Sequence, residues 1–441
     1  MFRTVRAIAT ATALIGSLVG GSVAVTGSAA AAEGAPGLTY YGANLHTLWS
    51  GNTSANVERE LDLLKQVHAN SGRLDVAWSS LQVNGKGTIS SSYRDRIDAM
   101  VAGASARGIS LVLTLHETPC WASAAPEDLK LRCTGAYWDR GVTKYPPTDY
   151  ADFAWAAAWL AQRYAGRIAA VELWNEPNYD VGHTNLTTPD KPAVYAAMVK
   201  TAYPSIKAVA PALPVLVGAT AFADDVFLSA LYRYGIQGSY DGISVHPYNE
   251  WRAPGAPHDP RWSKYDYVLG LEKIRNTMTA AGDSSPVWVT EVGWTSCTVG
   301  ASRWCVTAEQ QAAYSSELVQ LTVTRFPWVK ALVLYNLRDK GTDINYTEDN
   351  FGLVKRDYTP KPALAAVQSA FGGLAITATA PAPAPAPAPV TAPTTAPVMG
   401  PIAEAPSSPT TTSSRLFKRR TVTAETPSKR RYLNPLERTR F

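Results

Sequence analysis

Two glutamates, each closing an apolar run, carry the chemistry most readily read from this chain: Glu176 in AAVELWNEPN and Glu291 in PVWVTEVGWTS. Two carboxylates fixed at the ends of buried strands can cleave a glycosidic bond, one protonating the departing oxygen while the other attacks the sugar or activates water. Glu176 is the candidate general acid/base. Asn175 beside it can hold the hydroxyl next to the reacting carbon, where hydrogen bonding strengthens in the transition state. Glu291 is the candidate nucleophile. Arg73, at the start of another apolar run, would keep Glu291 ionised, whereas a less solvated Glu176 would stay protonated. Taken singly, each has a plainer reading. A Glu before Pro177 bounds a strand or starts a helix, and Glu291 with an arginine is a structural ion pair. The set is more specific than its members.

Further candidates close other apolar runs. His246 and Tyr248 lie in SVHPY, where the Tyr248 hydroxyl can orient Glu291. His116 can bind a sugar hydroxyl or support the carboxylates, and Tyr335 can lie beneath the sugar at the point of cleavage. Trp294 belongs, with Trp121, Tyr137, Trp138 and Trp304, to loops suited to stacking sugar rings. A purely structural role is an equal alternative for each. The chain holds no Gly-x-Ser-x-Gly elbow, no His-Glu-x-x-His and no P-loop. Its six histidines are scattered without a metal triad, so neither metal nor cofactor is expected.

Positioning these residues calls for eight strands. Apolar runs at 39–46, 73–76, 110–115, 169–174, 214–217, 242–245, 287–290 and 331–335 are rich in Val, Leu and Ile and alternate little, as strands covered on both faces do. Each precedes an amphipathic segment, such as VERELDLLKQV with Val57, Leu61, Leu64 and Val67 at helical spacing. Eight strand–helix pairs in order predict an α/β fold of the (β/α)8 TIM barrel type. In such a barrel all strand C-termini share one face, which gathers His46, His116, Asn175, Glu176, His246, Glu291 and Tyr335. An open doubly wound sheet, the runner-up, would show a Gly-rich phosphate loop after its first strand, and none is present.

The ends of the chain differ from its middle. Arg3 and Arg6, an apolar stretch and the small residues up to Ala32 read as a secretory signal peptide over 1–32. The catalytic domain is expected over 33–374. PAPAPAPAP marks a stiff Pro/Ala/Thr-rich linker over 375–414. Residues 415–441 carry nine Lys and Arg against Glu425 and Glu437, a net +7 that exceeds the +5 of the whole chain. The main domain is therefore slightly acidic, and the basic tail bears on location. It can meet an anionic cell-surface polymer, though a solvated disordered end is the simpler reading. Nothing in it resembles a nucleic-acid-binding fold, and no stable membrane insertion is expected after signal cleavage. Cys120, Cys133, Cys297 and Cys305 allow three pairings. Export permits disulfides, and local pairing closes the smaller loops.

LWNEPN at 173–178, VTEVGW at 289–294, HPY at 246–248, TPCWA at 118–122 and NFGLVKRDYTPKPALAAV at 350–367 resemble clan A retaining glycoside hydrolases, in particular family 39-like and family 5-like secreted bacterial members. The resemblance covers residues 39 to 373. It implies a barrel with an acid/base glutamate after an asparagine on the fourth strand and a nucleophile on the seventh, roles that fall on Glu176, Asn175 and Glu291. It implies double displacement on a polysaccharide or oligosaccharide; the leader and the basic tail point to a secreted enzyme that can associate with the cell surface. Arg73, His246, Tyr248 and Tyr335 match less specific positions. Family 5-like members often carry tryptophan where Tyr335 stands. A non-catalytic carbohydrate-binding barrel and a transglycosylase using the same covalent intermediate are the alternatives. Removing the chain after about Gly373 is expected to leave turnover of small soluble substrates intact, because a Pro-Ala linker adds little to a barrel core. Loss of folding on truncation would refute this.

Overall fold

A computed structural model describes residues 37–49, 52–179, 186–256 and 260–377. The expected signal peptide, the basic tail and the linker beyond residue 377 lie outside the described residues. Eight strands close into a parallel barrel in sequence order: β1 (Tyr40–Leu45), β2 (Ser71–Ala77), β3 (Ser110–His116), β4 (Ile168–Leu173), β5 (Val215–Ala221), β6 (Gly242–His246), β7 (Val287–Val292) and β8 (Val329–Leu334), with β8 pairing back to β1. Around them run α1 (Ser54–Gln66), the single turn α2 (Trp78–Leu81), α3 (Ser91–Ala106), the single turn α4 (Glu127–Lys130), α5 (Tyr150–Tyr164), α6 (Lys191–Val209), α7 (Asp225–Arg233), α8 (Tyr267–Ala280), α9 (Ala308–Arg325) and α10 (Pro362–Thr377). This is the (β/α)8 barrel expected, with one correction at its end. The final helix continues to Thr377, into the segment expected to begin the linker, so a cut that spares it falls after residue 377.

Local chemistry fixes these boundaries. Thr53 and Thr307 cap α1 and α9 with reciprocal capping boxes, and Asp149, Asp190, Asp224 and Asp266 cap α5 to α8 through their side chains. Outward faces of the strands pack on the helices in one continuous apolar core. The inside of the barrel is layered. At the bottom Val112, Ala170, Leu216, Trp288 and Ala331 form an apolar plug, and Tyr40 stacks on Trp288 at 5.1 Å. One step up, the same alternation presents Asn44, Arg73, Thr114, Glu172 and Ser244, all buried. The polar layer thus rests on a dry floor.

β7 departs from strict alternation. Val289 and Val292 both face the outer core, and the register with β8 slips between them. One extra residue there turns Glu291 toward the barrel axis, as a bulge does. Just beyond, a Cβ on Gly293 would lie 2.1 Å from the Tyr335 carbonyl oxygen, so only glycine lets the ends of β7 and β8 approach. Among the described residues no helix is long and apolar enough to cross a membrane.

A Cβ on Gly42 would lie 1.8 Å from the Ser71 carbonyl oxygen, in the seam between β1 and β2. Gly42→Ala is therefore expected to destabilise the domain by at least about 1–3 kcal/mol, the usual range for overpacking, read as a lower urea midpoint. An unchanged midpoint would mean that the seam opens freely.

Candidate active site

The mouth of the barrel is organised around Arg73, which is 1% exposed. Its Nε donates to Glu172 Oε2 at 2.7 Å, and its NH1 donates to Glu291 Oε1 at 2.7 Å and to Asn44 Oδ1 at 3.1 Å. Its NH2 donates to Asn175 Oδ1 at 2.5 Å, and Asp75 lies 3.4 Å from NH1. One planar fork thus joins β1, β2, β4, β7 and the turn after β4. Burial raises the pKa of both Glu172 and Asp75, but Arg73 together with His246, Thr114 and Ser244 around Glu172, and with His116, His46 and Lys340 around Asp75, outweighs it and leaves both below the usual carboxylate range.

Glu291 has a second donor. The Tyr248 hydroxyl donates to its Oε2 at 2.8 Å, so each carboxylate oxygen is held from a different side. Burial nonetheless raises the Glu291 pKa, opposed by His246 and Arg73 and reinforced by Glu176. Burial is the largest of these influences and sets the direction.

Glu176 stands opposite. Its φ is +46° and that of Trp174 is +71°, both in the left-handed region, which costs a non-glycine residue about 1–3 kcal/mol. The turn is held by backbone bonds, Trp174 N–H to the Leu115 carbonyl at 2.8 Å and Glu176 N–H to the Ala219 carbonyl at 2.9 Å. His246 bridges the two glutamates, its Nδ1 lying 3.1 Å from Glu176 Oε1 and 3.7 Å from Glu291 Oε2. Burial pulls the His246 pKa down, but the two carboxylates outweigh it and the net shift is upward. One carboxylate oxygen from each glutamate and a His246 nitrogen lie within 4.8 Å of one another. Such a trio can geometrically meet around a cation, although Arg73 at 2.7 Å from Glu291 already supplies positive charge and would repel one.

The expected solvation of the pair is reversed. The Glu176 side chain is 22% exposed and that of Glu291 10%. Strand-end position alone does not reveal that Glu291 turns inward at a bulge while Glu176 stands on a turn at the rim. Trp294 is also corrected. It is 1% exposed, donates from Nε1 to the Arg252 carbonyl and packs against Tyr314, so it belongs to the core. Tyr137 and Trp304 are likewise buried, whereas Trp138 is exposed. Tyr335 keeps its place at the mouth, with its ring edge-on to Tyr248 at 6.1 Å and its hydroxyl receiving Lys340 Nζ at 2.7 Å. His116 is buried 3.9 Å from Asp75, and neither of its ring nitrogens has a hydrogen-bond partner among the described residues. Cys120–Cys133 and Cys297–Cys305 form the two local disulfides.

Sequence reasoning missed Glu172, Asp75, Asn44 and Lys340. The signal for the first two was a charge inside an otherwise apolar strand, IAAVEL and SGRLDVA, where burial demands a partner.

Comparison with known proteins agrees with this geometry. A family model described as Cellulase (glycosyl hydrolase family 5) matches residues 30–329. No curated protein matches the chain in sequence. Among solved structures, a family 39 glycoside hydrolase from the gut symbiont Bacteroides cellulosilyticus WH2 is similar at 20% identity and a TM-score of 0.57, over 77% of this chain and 64% of that one. An exo-β-1,4-mannosidase from Opitutaceae bacterium strain TAV5 is similar at 18% and 0.53, over 78% and 61%. The GH5_18 protein of Streptomyces cattleya in complex with Manβ1-4GlcNAc is similar at 20% and 0.55, over 79% and 83%. The chain thus spans under two thirds of the first two proteins and most of the third, and at these identities the likeness is one of fold. With most of its length matched by the family model, the chain belongs to glycosyl hydrolase family 5.

Proposed function

We propose that the protein is an exported, retaining glycosidase that cleaves a polysaccharide or oligosaccharide by double displacement. The observation that carries this reading is the closeness of Glu176 and Glu291, whose oxygens come within 4.8 Å. Retaining pairs hold their carboxyl groups about 5–5.5 Å apart, and inverting pairs about 6.5–9.5 Å, to admit a water. Export is supported by the two disulfides and by the leader-like N-terminal sequence.

Roles follow from surroundings. Glu291, held at both oxygens by Arg73 and Tyr248, attacks the anomeric carbon and forms the glycosyl-enzyme. Glu176, at the more open rim, gives its proton to the departing oxygen and later takes one from the water that releases the sugar. Formation of the ester discharges Glu291, which removes a negative charge from beside Glu176 before it acts as base. His246 lies between the two and steadies both charges. Asn175, fixed by Arg73, is suited to hold a sugar hydroxyl, His116, buried beside Asp75, to support the charged cluster, and Tyr335 to floor the site.

Glu176→Ala and Glu291→Ala are each expected to lower kcat by at least about 10²–10⁴-fold with the fold intact. Azide should rescue Glu291→Ala and give a glycosyl azide of inverted configuration, which names the nucleophile. A screen over polysaccharides and aryl glycosides identifies the sugar, and NMR of the first-formed anomer reads the stereochemistry. An inverted anomer from the wild type would overturn retention.

The acid limb of kcat/KM against pH should lie above the ordinary carboxylate range, because burial raises the Glu291 pKa. Tyr248→Phe deletes a donor to the carboxylate anion, favours its protonated form and moves that limb to higher pH. It should also lower kcat/KM by roughly ten- to a hundredfold, the worth of one hydrogen bond to a charged group. A limb that stays put would show that Tyr248 does not hold the ionised group.

A further inference from the structure

On the β1 and β8 side of the barrel mouth lies a cavity of about 120 Å³. It reaches down to Asn44, the acceptor of Arg73, and its rim carries Trp49, which is 43% exposed. Three cations line it, Arg338, Lys340 and Arg356, against one carboxylate, Glu60 of α1. Arg338 is ion-paired to Glu60 at 2.9 Å and donates to Asn52 at 3.0 Å. Lys340 donates to the Tyr335 hydroxyl and to Glu348, both at 2.7 Å, and its ammonium lies 5.3 Å from the centre of the Trp49 ring at the rim. Arg356 is half-buried and has no hydrogen bond or ion pair among the described residues.

The electrostatics of the cavity are those of excess positive charge. Burial and the neighbouring Arg338 both lower the Arg356 pKa. Burial, with Lys340 adding to it, pushes His46 down to about 3, so its imidazole stays neutral. Burial also raises the Glu60 pKa against the pull of Arg338, the cation it is already paired with. A partly desolvated guanidinium without a partner is unfavourable unless an anion arrives to pair with it.

The side of the barrel decides which part of the substrate would bring that anion. In the closed order β8 lies four strands from β4, whose C-terminal turn carries Glu176. An acid protonates the leaving group and so stands on the aglycone side, which leaves the β1 and β8 side to the glycone. We propose that this cavity is a specificity pocket for an anionic substituent, a carboxylate or a sulfate, on a glycone-side sugar, received by Arg356 and Lys340 with Trp49 at the rim. This rests on the assignment of Glu176 as acid/base.

The test compares three matched oligosaccharides of one linkage: a uronate-bearing form, its carboxyl-reduced neutral counterpart and a sulfated counterpart. The wild type is expected to show kcat/KM at least about tenfold higher for an anionic member than for the neutral one, chiefly through KM. That preference should shrink in about 0.5 M salt. Arg356→Gln should reduce the anionic-to-neutral ratio about tenfold, and Arg356→Glu should invert it, with circular dichroism and Tm confirming the fold. Preference for uronate or for sulfate supports the pocket and says which group it takes. Equal or faster turnover of the neutral member by the wild type, or a ratio that neither variant moves, overturns it while leaving glycosidase action in place. Turnover that survives Glu176→Ala and Glu291→Ala would instead remove the acid/base assignment, and the pocket reading with it.

Discussion

Everything at the barrel mouth depends on one buried cation. Arg73 sits in the interior and serves Glu172, Glu291, Asp75, Asn44 and Asn175 together. Taking a guanidinium and a carboxylate out of water costs several kcal/mol each, and removing one partner of a buried pair costs about 3–5 kcal/mol because a charge is left uncompensated. The arrangement is therefore tolerable only when complete. Completeness has a geometric result as well, because the guanidinium is rigid and planar. Holding Glu172 on one edge and Glu291 on another fixes β4 and β7 relative to each other more tightly than their backbone pairing through β5 and β6 would do alone. The two elements so fixed are the ones that carry the candidate acid/base and nucleophile.

The second layer of control is the His246 bridge. Two carboxylates this close cannot both ionise without a cation nearby, and the imidazole is placed to relieve them. The titration of His246 thus depends on both glutamates, and that of Glu291 on His246 and Glu176. Substrate entry and ester formation change the charge of this trio, so the chemistry itself drives the redistribution of its proton.

The strands were legible because helices cover their outer face and side-chain layers fill their inner one, which makes the runs apolar throughout and easy to see. Glu176 and Glu291 were legible because an acid at the edge of such a run is abrupt. Glu172 was hidden by lying within its run rather than at its edge. The solvation order of the two glutamates was hidden for a different reason: it depends on a bulge in β7 and a left-handed turn after β4, neither of which leaves a periodic trace. Trp294 misled because tryptophan beside a catalytic carboxylate reads the same whether it lines a cleft or wedges a core. The cationic cavity was out of reach altogether. It joins Glu60 of α1 to Arg356 in the loop after β8, at opposite ends of the domain, and only barrel closure makes them neighbours.

The bulge in β7 has a consequence for how this site tolerates change. A barrel is a closed ring of hydrogen bonds, and its strand count and stagger admit little variation. The aim of Glu291, however, is set by a local surplus of one residue between Val289 and Val292 rather than by the ring. Scaffold and reactive group are thereby governed by separate numbers. A one-residue deletion there would leave the ring's tally of strands untouched while swinging the carboxylate from the lumen into the helical shell, a failure of address in a fold that still closes.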